Sequence, residues 1–152
     1  MMRQSYISII SVLLLLVAGT AFGQESVFNG LKSNSKRGDR YYNINEYQNA
    51  LDLYLLVESK KNSSTRNKLK IGRTYFQLKD YNNSALWYSK YLLKSKSIPD
   101  KDLYNYAEAL RSSGDYNKAI TFYKRYQEVN PDDKTIIEKI WRFHFLNVIL
   151  MQ

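Results

Sequence analysis

The chain has 152 residues, enough for one domain, and a formal charge of +9. Six glycines and two prolines are too few for a turn-rich β-sandwich, and the absence of cysteine excludes disulfides and thiolate sites. The positive balance suits nucleic acid, anionic lipid or an acidic partner, but Lys60, Lys61, Lys68, Lys70, Lys94 and Lys96 are scattered over turns and polar faces, the ordinary pattern of a solvated surface.

Residues 1–23 read as a segment outside the fold. Arg3 gives a short positive start, Ile7 to Val17 is apolar except for Ser8 and Ser11, and Ala21-Phe22-Gly23 has the small-x-small form of a signal-peptidase site. The apolar run is short for a spanning helix. Cleavage after Gly23 is therefore expected, rather than a retained anchor, with the mature chain starting at Gln24. Losing Arg3 lowers the formal charge by one, to +8. Secretion weighs against a nucleic-acid partner. A secreted chain without disulfides relies on its core, which roughly 125 residues of stacked helices can supply.

Gln24 to Asn29 is a lead-in. A first helix is expected over Leu31–Asn43, with Gly38 inside it at a cost of about 1 kcal/mol against alanine; close contact with the next helix is a use for it. After a turn at Asn43-Ile44-Asn45, a partner helix runs from Glu46 to Ser59, with Tyr47, Ala50, Leu51, Tyr54 and Val57 at helical spacing. Ser63, Ser64 or Thr65 is placed to cap the next helix. The second pair is Arg66–Leu78 and Tyr81–Leu93, and Lys94 to Ser97 forms a loop. Pro99 suits the first turn of the following helix, where its missing N–H loses no partner. The third pair is Lys101–Ser112 and Tyr116–Val129. Gly114 stops the first of these with φ > 0, Asp115 caps the second, and Pro131 ends it.

Asp132 and Asp133 would cap a seventh helix from Lys134. Ile136, Ile137 and Ile140 form a buried stripe, and from Ile140 to Met151 only Arg142, His144 and Asn147 are polar. Three readings stay open for this tail: the first helix of a fourth, truncated repeat; a contact for a partner or a second copy through Ile140–Met151; or a membrane-surface segment.

The pairs repeat. Gly38, Gly72 and Ala107 hold one small-residue position, 34 and 35 residues apart. Tyr41, Tyr75 and Leu110 recur in phase, as do Tyr47, Tyr81 and Tyr116, and Tyr54, Tyr88 and Tyr123. Ser84 takes the small position that Ala50 and Ala119 hold elsewhere, with Ala85 one residue later, so a register shift in the middle copy is one reading. This pattern resembles the tetratricopeptide repeat, a helix–turn–helix of about 34 residues. The resemblance implies an all-α, right-handed superhelix of three repeats, at 31–60, 65–97 and 100–131 within 24–131, followed by the C-terminal helix of 132–152. Tyrosine, at 14 residues, then reads as packing with hydroxyls reaching the surface.

No catalytic constellation is evident. His144 is the only histidine and has no second histidine or cysteine with which to hold zinc; the acids are dispersed; no phosphate loop follows a strand. No enzyme activity, cofactor or metal is expected. The repeat resemblance implies a concave face lined by the first helix of each pair. Its groove positions here are Ser35, Asp39, Tyr42 and Asn43; Leu69, Arg73, Phe76 and Gln77; Tyr104, Glu108, Arg111 and Ser112. Rings would supply area to a bound peptide, and Arg73 and Arg111 would clamp a carboxylate. The other reading is a solvated helix face. The charges depart from the carboxylate-clamp pattern of chaperone-binding relatives.

The phrasing Lys70-Ile71-Gly72-Arg73-Thr74-Tyr75-Phe76, Tyr81-Asn82-Asn83-Ser84-Ala85-Leu86-Trp87-Tyr88 and Tyr104 to Tyr116 is similar to the N-terminal repeats of OmpA-family envelope proteins of Gram-negative bacteria. Those precede a β-propeller and a peptidoglycan-binding domain, and some members serve secretion or gliding machinery. The likeness covers about residues 25–131 and implies a periplasmic scaffold for another envelope protein or peptide, with outer-membrane or secretion-complex association. Gln152 ends the sequence without those later domains. The expected alternative is thus a truncated fragment of such a protein, associating through its apolar last helix; peptidoglycan binding is not carried over.

Overall fold

The computed structural model describes residues 29, 30, 32–60 and 63–150, and in the last helix the side chains up to Arg142 and that of Phe145. The expected leader, residues 1–23, lies outside the described residues, as do the last side chains of the apolar tail. Every regular element described is an α-helix: α1 over 32–43, α2 Tyr47–Glu58, α3 Thr65–Gln77, α4 Tyr81–Leu92, α5 Asp100–Ser112, α6 Tyr116–Val129 and α7 Lys134–Leu150. The boundaries differ from expectation by a residue at most places. Pro99 sits one position earlier than expected, as the extended N-cap of α5 (φ −60°, ψ 142°), because its carbonyl accepts from Asp102 N–H at 2.8 Å and begins the helix.

The same turn is built three times. Asn45, Lys79 and Gly114 have φ of 63°, 61° and 87°. In each turn the next N–H reaches back to the fourth residue before the left-handed one: Glu46 to Tyr41 at 2.9 Å, Asp80 to Tyr75 at 3.0 Å, Asp115 to Leu110 at 2.9 Å. This closure satisfies helix-end carbonyls and reverses the chain into a hairpin. Asp80 and Asp115 then accept from Asn83 and Lys118 N–H and start the return helix; Glu46 makes no side-chain cap. Among the three candidate caps of α3, Ser64 is the one used, accepting from Asn67 N–H at 3.3 Å.

Packing follows the small positions. A Cβ on Gly38 would stand 2.6 Å from the ring of Tyr54, and one on Gly72 would stand 3.3 Å from Tyr88. Ala107 is fully buried at the same position. Ser84 resolves the register question: it is fully buried in phase with Ala50 and Ala119, and its hydroxyl donates to the Gly72 carbonyl at 2.9 Å. There is no shift; serine is tolerated there because the facing helix offers a carbonyl. The interrupted loop before α5 is pinned by buried Ile98, which joins Leu69, Leu103 and Tyr106 in the core.

Helix α7 packs on α6. Of the expected buried stripe it buries only Ile136: Ile140 is half-buried and Ile137 faces outward, as do Trp141 and Phe145, 70% and 68% exposed. Trp141 lies 34 residues after Ala107, at the position where the three complete pairs carry Gly38, Gly72 and Ala107. The small residue that admits a return helix is replaced by the largest one. Among the described residues, no helix is long and apolar enough to cross a membrane.

Candidate partner-binding groove

The inner face is formed by α1, α3, α5 and α7, and side-chain ion pairs join each to the next. Lys70 on α3 donates to Ser35 at 2.9 Å and to Asp39 at 2.8 Å on α1. Lys139 on α7 donates to Tyr104 at 2.7 Å and to Glu108 at 2.5 Å on α5. The two lysines reach partners at the same sequence distances, 35 and 31 residues, so α7 docks on α5 as α3 docks on α1. Between them, Arg73 on α3 grips Asp102 on α5 with two parallel bonds of 2.7 and 2.5 Å. Such a fork is the strongest geometry available to an arginine and a carboxylate.

The repeated tyrosines tie this ladder to the return helices. Tyr54 donates to Asp39 at 2.7 Å, Tyr88 to Asp102 at 3.1 Å and Tyr123 to Glu108 at 2.7 Å. Asp39, Arg73 and Glu108 hold one position in the repeat. Two are acids and take the hydroxyl of their own repeat; in the middle repeat that position is an arginine, so Tyr88 bonds to the acid imported from α5. Burial, followed by the facing carboxylate, pushes all three phenols well above their usual range. Burial also pushes the Glu108 carboxyl up, but hydrogen bonds from Lys139, Tyr123 and Arg111 outweigh it and hold the group below its usual range. The bonds to Asp102 raise Arg73 further, against the effect of burial.

The expected groove residues therefore divide. Asp39, Arg73 and Glu108 are members of the ladder, and Arg111 donates to Glu108 at 3.1 Å. The carboxylates held by Arg73 and Arg111 are the chain's own. Leu69 is buried. Ser35 is taken by Lys70. Phe76 is half-buried, edge-on to Tyr81 with ring centres 5.6 Å apart. Tyr104 packs on Tyr126 at 5.4 Å, under the Lys139 ammonium at 4.9 Å. Asn43, Gln77 and Ser112 are exposed and share one repeat position in the last turn of α1, α3 and α5. Gln77 also meets the half-buried Tyr42 hydroxyl. A cleft of about 390 Å³ opens on this face, lined by Asp39, Tyr42, Asn43, Tyr54, Lys70, Arg73 and Lys101.

Sequence reasoning missed Asp102, Lys70, Lys139 and Lys101. Asp102 resembles any acid in a first helical turn. Lys70 and Lys139 carried a faint signal, being two repeats apart, but the intervening position is Asn105. No group of three or more His, Cys, Asp or Glu that could hold a metal occurs among the described residues.

The hairpins, their shared turn and their period define a tetratricopeptide-type solenoid. The family model of the tetratricopeptide repeat matches residues 103–133, which hold most of α5 and all of α6. Solved structures agree on the fold. The chain is similar to the first TPR of Spaghetti (RPAP3) bound to the HSP90 peptide SRMEEVD, at 15% identity and TM-score 0.61, covering 78% of this chain and 93% of that one. It is similar to the Arabidopsis OM64 TPR domain, at 15% identity and TM-score 0.59, covering 75% and 93%. It is also similar to the Yersinia enterocolitica type III secretion chaperone SycD in complex with a peptide of the translocator YopD, at 17% identity and TM-score 0.56, covering 81% and 94%. No curated protein gives a significant match. The envelope-protein resemblance rests on the sequence phrasing alone.

Proposed function

We propose that this protein is a non-enzymatic scaffold of the bacterial cell envelope that holds an extended segment of another protein on its concave face. The observation that carries this reading is the inner face itself. The charges of its ladder neutralise one another across repeats, while Asn43, Gln77 and Ser112 form an exposed polar row, with Asn43 at the rim of a cleft. Side-chain amides, as on Asn43 and Gln77, and the hydroxyl of Ser112 both donate and accept, and so match the backbone of an extended chain. Two of the similar structures hold peptides, SRMEEVD in one and a YopD segment in the other. The envelope setting is supported by Arg3, the apolar Ile7–Val17 run and the Ala21-Phe22-Gly23 site, and by the phrasing shared with OmpA-family repeats.

A photo-reactive amino acid in place of Gln77 tests the groove, with the exposed Asn82 of α4 as control. The groove reading expects a covalent adduct with a partner from position 77 and none from 82; the reverse would overturn it.

A second reading is favoured by one observation. Ile137, Trp141 and Phe145, at i, i+4 and i+8 on α7, are exposed together. A stripe of this kind is self-complementary about a two-fold axis, which suits a homodimer through the Ile140–Met151 segment. Sedimentation equilibrium decides this: the reading requires a dimer that Trp141→Ala with Phe145→Ala converts to monomer. A monomeric unaltered chain would remove it.

A further inference from the structure

We infer that the segment held on the concave face is acidic, with carboxylates at every third residue, and that Lys32, Arg66 and Lys101 read them one per repeat. This rests on the groove reading above and gives its ligand a chemistry. The three cations occupy one repeat position, 34 and 35 residues apart, Arg66 and Lys101 in the first turns of α3 and α5 and Lys32 in α1. All three are exposed, and none belongs to the ion-pair ladder. Helical periodicity sets each on the inner stripe: residue 32 with Asp39, residue 66 with Arg73, residue 101 with Glu108, seven residues on in every case. Lys101 lines the concave cleft beside Tyr42 and Arg73.

A cation in a first turn opposes the helix dipole, so Arg66 and Lys101 are not placed for helix stability. The inner acids are already engaged: Asp39 by Lys70, Asp102 by Arg73, Glu108 by Lys139. Positive charge is therefore what the face offers to a ligand. Successive first helices are bridged directly, Lys70 to Asp39 and Arg73 to Asp102, which sets them about 10 Å apart. A polyproline-II chain rises about 3.1 Å per residue with three residues per turn, so side chains at i, i+3 and i+6 share a face about 9 Å apart. That register matches one carboxylate per repeat. A concave row also favours a strand-like segment over a flat anionic membrane.

Fluorescence anisotropy of the full chain with a labelled four-fold Glu-Pro-Pro peptide tests this. The comparison peptide has the same composition with its four glutamates in one block. We expect the spaced peptide to bind about ten-fold more tightly than the blocked one, and to weaken as salt rises. Lys32→Glu, Arg66→Glu and Lys101→Glu should each weaken it about five-fold, and together on the order of a hundred-fold. For Arg66→Glu and Lys101→Glu the melting temperature should hold or rise, because acids suit a first turn. Equal binding of the two peptides, or indifference to the triple substitution, would overturn the proposal. So would phosphatidylserine vesicles or single-stranded DNA binding the same row more tightly than the spaced peptide. If the spaced peptide fails while position 77 still captures a partner, the acidic chemistry falls and the groove stands. Capture from position 82 alone removes the groove itself.

Discussion

Gly38 and Gly72 hold the same place in the repeat and answer to different neighbours. The ring of Tyr54 lies 2.6 Å from where a Gly38 Cβ would be, and its hydroxyl is tied to Asp39 at 2.7 Å, so the ring cannot swing away. Gly38→Ala should cost about 1–2 kcal/mol, overpacking outweighing the gain in helix propensity of about 1 kcal/mol. At Gly72 the closest atoms stand 3.3 Å off, and the third repeat already carries a buried alanine, Ala107, at that position, in the same core as Tyr123. Gly72→Ala should lie within about 1 kcal/mol of neutral. Urea denaturation of the two variants reads the contrast directly; equal losses would mean that the tyrosine ring is not the limiting contact. The small-residue position was legible from spacing alone. Lys79, in a left-handed turn at φ 61°, was not, since nothing in a lysine announces that backbone.

At the scale of elements, stacking is held by cross-repeat charge as well as by tyrosine. Asp102 is 2% exposed and Arg73 is its only cation in the ladder. Arg73→Ala should destabilise by about 3 kcal/mol by leaving a buried carboxylate unpaired, and adding Asp102→Asn should recover part of that. Equilibrium unfolding of the single and double variants gives the coupling; additive losses would contradict the pairing. Arg73 was expected to meet a partner's carboxylate because spacing marks the inner face without saying who else stands on it. Its true neighbour lies 29 residues away, on a helix whose rotation a sequence does not display.

The same ladder predicts a pH profile. Glu108 in the ladder, and outside it Glu58 at the end of α2, which Lys68 of α3 bridges at 2.6 Å, are held below the usual glutamate value of 4.5 by bonds that outweigh burial, so their folded forms bind protons less readily than the unfolded chain. That stabilisation is complete above about pH 4.5 and is lost as pH falls through the lower folded values. Tyr54, Tyr88 and Tyr123 are shifted upward from 10.0, chiefly by burial. Their contribution is complete below about pH 10 and declines above it, as the unfolded chain gains by ionising. Thermal melts across pH should show a plateau between these limits. A maximum outside it would contradict the ladder.

Over the whole molecule, three hairpins and a docked seventh helix present one face of returning helices and one of first helices. Period, capping residues and turn glycine carried the hairpins, and the tetratricopeptide resemblance carried the stacking. The seventh helix was placed by Asp133, which accepts from Thr135 N–H at 3.1 Å. Its meaning was hidden until Trp141 could be set against Gly38, Gly72 and Ala107 as the residue that breaks the series. What distinguishes this solenoid is an inner face whose acids are consumed internally, leaving amides and a row of cations toward solvent. Amide hydrogen exchange with a captured partner bound tests that most directly. Added protection should fall on α1, α3 and α5, around Asn43, Gln77 and Ser112, and not on α2 and α4. Protection confined to α7 or to the returning helices would contradict the account.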